Sequence, residues 1–132
     1  MKLKSIHIDG HHGTYYIPTI DLDVETGICE ISGESYLEDT ASFYAPVVDW
    51  LDKYCSKIKK PLNFNFNLEY YNTSSSKCIV DIMSLLKKHS DMGLEITVNW
   101  HYDADNEDFE EEVEEVEDFM LETGLKINLI PK

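Results

Sequence analysis

The segment Leu62–Leu68 constrains this chain more than any other stretch. Leu62, Phe64, Phe66 and Leu68 alternate without a break with Asn63, Asn65 and Asn67. A period of two sends the apolar side chains to one face and the amides to the other, which predicts a β-strand. On both sides the period changes. From Thr40 onward Phe43, Val47, Trp50, Leu51, Tyr54 and Ile58 recur at helical spacing, with Glu38, Asp39 and Thr40 supplying negative charge and a cap at the start. Pro46 admits two readings: a helix that begins near it, or one that starts at Thr40 and is kinked there. Downstream, Ile79, Ile82, Met83 and Leu86 form one face of a second helix that stops between His89 and Gly93.

The flanks extend this alternation. Ser5–Ile8 and the turn-rich Asp9–Thr14, with Gly10, His11, His12 and Gly13, make residues 1–14 irregular or an edge strand. Ile20–Val24 and Ile28–Ile31 alternate around a turn at Glu25–Gly27, which predicts an antiparallel hairpin. Leu94–Trp100 reads as a strand, Phe109, Val113, Val116 and Met120 as a third helix ended by Gly124, and Leu125–Ile130 as a last strand. Strands separated by helices imply right-handed crossovers and parallel neighbours. The expected fold is therefore α/β, one domain over residues 1–132, with a mixed sheet, an N-terminal antiparallel hairpin and three main helices. A chain of 132 residues can bury a core without staples.

Charge excludes some partners. The formal net charge is −15, which disfavours nucleic acid and anionic membrane surfaces. Its distribution is uneven: residues 103–122 hold 12 acidic side chains and no base, leaving 14 acids against 11 bases elsewhere. With Phe109, Val113, Val116 and Met120 turned inward, Glu110, Glu111, Glu112, Glu114, Glu115, Glu117 and Asp118 cover the outer face of the third helix. That face serves either as a solvated surface or as a docking face for a basic partner. Asp103, Asp105, Glu107 and Glu114 fit positions 1, 3, 5 and 12 of a calcium loop, but Asp108 stands where such a loop needs glycine. No apolar run is long enough to cross a membrane, and the odd cysteine count, Cys29, Cys55 and Cys78, lacks C-x-x-C spacing. A reduced, cytoplasmic protein is expected, with no cofactor and no metal.

The groups that would carry catalysis do not converge. His7, His11 and His12 cluster near the N-terminus, where a polar loop explains them better than a metal site; His89 ends a helix and His101 a strand. No phosphate-binding glycine loop, nucleophile elbow or H-E-x-x-H occurs, so an enzyme is not expected. The run Asn72-Thr73-Ser74-Ser75-Ser76 is more informative, because it follows the strand and opens a helix. Free N–H groups and the positive dipole end there stabilise a phosphoryl group, which adds about −1.5 to −2 charges. Equally, Thr73 or Ser74 merely caps the helix.

Three stretches carry a family resemblance: Ile31-Ser32-Gly33-Glu34-Ser35-Tyr36, Phe43-Tyr44-Ala45-Pro46-Val47-Val48-Asp49-Trp50-Leu51 and Tyr71-Asn72-Thr73-Ser74-Ser75-Ser76-Lys77. From about Ile20 to Ile130 the chain resembles the SiaC-type biofilm regulators, partner-switching bacterial proteins with a STAS-like fold akin to the anti-sigma-factor antagonists. The resemblance implies a threonine phosphorylated by a serine/threonine kinase and dephosphorylated by a PP2C-type phosphatase. It also implies that the unmodified form binds and activates a diguanylate cyclase, a GGDEF protein, raising cyclic di-GMP and promoting biofilm formation. The modified residue carries over to Thr73, with Tyr71, Asn72, Ser74, Ser75 and Lys77 as the surrounding partner surface. An adapter like the anti-sigma-factor antagonists acting on another partner, a module binding through its acidic helix, and a small enzyme are the alternatives.

Overall fold

The computed structural model describes residues 2–132. The elements run β1 (Ile6–Ile8), β2 (His11–His12), β3 (Tyr16–Ile17), β4 (Thr19–Leu22), β5 (Ile28–Ser35), α1 (Thr40–Lys53), β6 (Leu62–Tyr71), α2 (Thr73–Asp91), β7 (Ile96–Tyr102), α3 (Phe109–Thr123) and β8 (Asn128–Pro131). A π-helical turn, Tyr54–Ile58, extends α1. Six strands form one sheet in the order β1-β4-β5-β6-β7-β8. The β1–β4 and β4–β5 pairs are antiparallel, and the remaining three pairs are parallel. The chain is thus the expected mixed α/β fold, with three helices and an antiparallel hairpin at its start.

Each parallel neighbour is reached through a helix, and α1 packs on α2 while α2 touches α3, so the helices form one layer on one face of the sheet. Beneath them Leu62, Phe64, Phe66 and Leu68 are buried together with Ile31, Val98 and Trp100. Burial of each such side chain contributes about 1.5–3 kcal/mol. Phe66 stacks on Trp100 with ring centroids 5.1 Å apart. The other face of the sheet is a ladder of amides. Asn99 donates to Asn65 Oδ1 at 3.0 Å, Asn128 donates to Asn99 Oδ1 at 3.1 Å, and Lys132 reaches Asn67 Oδ1 at 2.6 Å. The strict alternation of β6 therefore separates a dry face from a polar one.

Several boundaries differ from expectation, each for a local reason. Helix α1 starts at Thr40, the earlier of the two expected starts, and runs through Pro46. Its cap is Asp39, whose carboxylate accepts from Ser42 N–H at 3.3 Å and Ser42 Oγ at 2.9 Å. Residues Asp9–Thr14 are not simply a turn, because His11 and His12 pair with Ile17 and Tyr16 in a two-stranded ribbon; backbone pairing of two residues leaves no periodic signature. The last strand begins only at Asn128, although Leu125 and Ile127 are buried in the approach to it. Side-chain alternation there outruns backbone pairing. On α3 the fully buried residues are Val116 and Phe119, while Phe109, Val113 and Met120 are half-buried and Leu121 is exposed.

One irregularity sets the phase of everything after it. Gly33 pairs with Leu68, but the next residue, Glu34, pairs with Tyr70, leaving Glu69 unmatched. Gly33 takes φ 92°, a left-handed conformation that a side chain would strain. The bulge reverses the parity of β6, so that Tyr70 is exposed and Tyr71 turns inward against Trp100 and Phe119.

Candidate functional site

The start of α2 lies at the carboxyl end of a parallel strand, where sheets of this kind place their sites. Asn72 is extended, with φ −85° and ψ 177°, and caps the helix: its Oδ1 accepts from Ser75 N–H at 3.0 Å and from Ser74 Oγ at 3.2 Å. The capping role proposed for Thr73 or Ser74 thus falls to Asn72. Thr73 is the first helical residue, is exposed, and its hydroxyl makes no hydrogen bond among the described residues. No acidic residue occupies the first turn. The hydroxyl accordingly stands free at the positive end of a 19-residue helix.

Its neighbours are engaged in holding that end in place. Ser74 Oγ meets Thr40 Oγ1 at 2.8 Å, joining the first turns of α2 and α1. Ser75 is fully buried and donates to the Ser35 carbonyl at 3.0 Å. Its oxygen also lies 2.7 Å from Ser35 Oγ, which is 2.7 Å from Tyr44 Oη. Because Ser75 spends its proton on the carbonyl, Ser35 donates to Ser75 and Tyr44 donates to Ser35, an ordered chain of three hydroxyls. Burial pushes the Tyr44 hydroxyl up to about 12, so it stays protonated and able to donate. Asn72 N–H completes the tie by donating to the Ser35 carbonyl at 3.0 Å. The Ser35 of the S-G-E-S-Y stretch thereby positions the helix start, a role its sequence context alone does not reveal.

The expected partner-facing residues separate into two groups. Thr73, Ser74 and Lys77 are exposed and Asn72 is half-buried at the cap. Ser75 and Tyr71 are corrections: Ser75 belongs to the buried hydroxyl chain, and the bulge turns Tyr71 inward, where its hydroxyl is buried with no hydrogen-bond partner among the described residues. Burial, with Glu115 and Glu112 nearby, pushes the Tyr71 hydroxyl well above its ordinary range. Glu112 is also not a simple outer-face residue, because its carboxylate accepts from Trp100 Nε1 at 2.7 Å. A buried tryptophan needs such an acceptor, which was the available signal. The bulge also gathers Tyr36 and Tyr70 with Tyr15 and Tyr16 into an exposed aromatic patch that no spacing in the sequence announces.

The histidines are dispersed onto separate partners. His7 bonds Asp21 and Asp9, His12 lies 3.4 Å from Glu34, His101 Nε2 lies 3.0 Å from Asn65 Oδ1, and buried His89 lies 3.0 Å from Asp52. Among the described residues no group of three or more histidine, cysteine or acidic side chains is placed to hold a metal. Asp103–Asp108 forms turns closed by its own side chains, Asp105 N–H to Asp103 and Asp108 N–H to Asn106, and Glu114 lies beyond on α3. No helix among the described residues is long and apolar enough to cross a membrane.

A single layer of three helices on one face of a mixed sheet, with an exposed threonine hydroxyl at the first position of α2, places this chain in the α/β class. Residues 11–132 match the SiaC family of regulatory phosphoproteins, and the chain belongs to that family. It is 34% identical over 113 residues to an uncharacterised protein of Pseudomonas aeruginosa strain UCBPP-PA14, covering 86% of this chain and 87% of that one. Among solved structures it resembles the activator SiaC of Pseudomonas aeruginosa in complex with the diguanylate cyclase SiaD, with a TM-score of 0.85 and 30% identity over 96% of this chain and 99% of that one. The apo form of SiaC from the same organism superposes with a TM-score of 0.81 and 29% identity over 96% of this chain and 98% of that one.

Proposed function

We propose that this chain, as a single domain over its length, is a non-enzymatic regulator that binds and activates a diguanylate cyclase, and that phosphorylation of Thr73 switches it off. A serine/threonine kinase adds the phosphate and a PP2C-type phosphatase removes it. The observation that carries the reading is the exposure of Thr73 at the first position of α2, uncapping and unbonded, while Asn72, Ser74 and Ser75 hold the backbone around it. The likeness to an activator solved with its cyclase supports the choice of partner. The acidic α3 is a weaker basis for a docking module, since Glu112 is committed to Trp100.

A phosphate on Thr73 adds about −1.5 to −2 charges and gains about 0.3–1 kcal/mol from the helix dipole, so the fold accepts it. The chain contains no arginine, and Lys77 is the basic residue one turn further along α2. Bidentate sequestration of the phosphate by this chain is therefore unavailable. The added charge stays presented to whatever contacts the helix start, and partner loss follows from repulsion and desolvation there.

The test compares wild type, Thr73→Ala and Thr73→Asp for cyclase binding and cyclic di-GMP synthesis, alongside mass spectrometry of the chain from cells. Wild type and Thr73→Ala should activate the cyclase, and Thr73→Asp should bind at least about tenfold more weakly. Unchanged affinity of Thr73→Asp, together with no phosphate on Thr73 in cells, refutes the switch.

A further inference from the structure

Four exposed tyrosines stand close together on this chain. Tyr16 belongs to β3 and Tyr15 precedes it, Tyr36 follows β5, and Tyr70 lies near the end of β6; each is between 36% and 48% exposed. Tyr36 is the hub, with its ring centroid 6.1 Å from Tyr15, 6.1 Å from Tyr16 and 6.5 Å from Tyr70. Single exposed rings are ordinary, whereas a contiguous set marks an interaction surface. Ser35 and Tyr71 point into the core beneath the helices, so Glu34, Tyr36 and Tyr70 point the other way. The patch therefore lies on the side of the sheet that carries no helix, away from α1 and α2.

Tyr16, Tyr36 and Tyr70 line an open cavity of about 480 Å³ together with Thr14 and Glu34. Its walls are placed by the backbone. Tyr16 N–H donates to the Tyr36 carbonyl at 2.8 Å, Tyr36 N–H donates back to the Tyr16 carbonyl at 2.9 Å, and the β6 bulge pairs Tyr70 with Glu34. The site is thus formed before a ligand arrives, which lowers the cost of binding. Its electrostatics have one sign, because ring faces carry partial negative charge and the Glu34 carboxylate a full one. No lysine lines the cavity. The ionic neighbour of Glu34 is His12, 3.4 Å from Oε1 and edge-on to Tyr16 with centroids 4.7 Å apart. The Glu34 side chain is only 26% exposed, so its charge is neither fully hydrated nor matched by a fixed cation.

We propose that this cavity receives the guanidinium of an arginine carried by a partner protein segment, stacked on a tyrosine face and paired with Glu34. A guanidinium is planar, lies on a ring while its edge donates two hydrogen bonds to a carboxylate, and gives up hydration more readily than an ammonium. That difference decides the ligand where the walls stay partly in water, because a lysine would keep its water shell there. A free small cation gains little from so open a site, whereas a segment bearing the arginine also covers the outer tyrosines. The chain contains no arginine, so neither its own residues nor a second copy supplies the group. The proposal uses neither Thr73 nor the helical layer, and it stands independently of the cyclase reading.

The experiment titrates the full chain, isotope-labelled in its tyrosine rings and followed by NMR, with a short capped peptide holding one arginine between glycines. The same peptide with lysine, and with citrulline, which keeps the shape of arginine without its charge, serves for comparison. The arginine peptide should shift the Tyr36 and Tyr70 resonances with a dissociation constant of about 1–10 mM, and the lysine and citrulline peptides should bind at least about fivefold more weakly. Glu34→Gln and Tyr70→Leu, with folding checked by circular dichroism, should each weaken the arginine peptide by about fivefold or more. Tyr70 is 48% exposed, so its variant remains informative should Glu34→Gln disturb the strand. Arginine peptide that does not bind, that binds no tighter than lysine or citrulline, or that binds both variants as well as wild type overturns the proposal. Sedimentation showing that the chain self-associates, and that Tyr70→Leu makes it monomeric, assigns the patch to a second copy and overturns the arginine occupant as well.

Discussion

Removing the Ser35 hydroxyl should cost more than its size suggests, and the structure says how much. Ser35 Oγ accepts from Tyr44 Oη and donates to Ser75 Oγ, both at 2.7 Å. In Ser35→Ala the Ser75 hydroxyl keeps the Ser35 carbonyl at 3.0 Å, but the Tyr44 hydroxyl, on a residue only 1% exposed, loses its acceptor and has no route to water. An orphaned buried hydroxyl costs about 1–3 kcal/mol. By contrast, Tyr44→Phe removes the donor and leaves Ser35 bonded to Ser75, a loss of about 0.5–1.5 kcal/mol. The double variant has no orphan, so its cost should fall below the sum of the singles by about 1 kcal/mol. Urea unfolding followed by circular dichroism measures all three stabilities, and hydrogen exchange reads the amides of Thr73–Ser76 separately. Strict additivity, or a Ser35→Ala cost below about 0.5 kcal/mol, refutes the ordered hydroxyl chain.

Two further expectations concern the rest of the fold. His7 is held above its ordinary value of 6.5, first by its bond to Asp21 and then by Asp9, so its contribution to the β1–β4 pairing is complete below about 6.5 and is lost as pH rises through the raised value; an imidazole titration by NMR should give a midpoint above 6.5 that falls in Asp21→Asn, and an unshifted midpoint removes the argument. Gly27→Ala should destabilise by about 2–4 kcal/mol, because Gly27 has φ 72° and an added Cβ would stand 2.6 Å from Tyr54 Oη and against the Pro61 carbonyl; Gly93→Ala, with φ 101° but open space around it, should cost only about 1–2 kcal/mol, and equal losses would show that crowding at Gly27 is not felt.

What could be read from the chain alone depended on how local the cause was. Strand β6 and helices α1 and α2 follow from periodicity, since their apolar faces each answer to one layer of core. The position of Thr73 at a helix start followed from the same reasoning, through the hydroxyl run after a strand. The identity of the cap did not, because Asn72, Thr73 and Ser74 are all competent caps and only the backbone at Asn72 decides between them. Tyr71 and Ser75 were misplaced for a different reason: the first depends on a register shift between two strands, and the second on Ser35, 40 residues away. On α3 the run of carboxylates hid Phe119, whose burial is set by Trp100 and Tyr71 across the interface.

The unmatched Glu69 bears on how relatives of this chain can differ in length. Elsewhere in β6 an inserted or deleted residue inverts the faces of all that follows, sending Tyr71 to solvent and swinging Asn72 away from the Ser35 carbonyl. At Glu69 the strand already holds one residue more than its neighbour, so deleting it leaves Tyr70 outward, Tyr71 inward and the start of α2 in register. Shortening is therefore tolerated at that point and forbidden on either side of it. A relative that had lost the residue would show an uninterrupted alternation from Leu62 to Tyr71, and its counterpart of Thr73 would stand where Thr73 stands here.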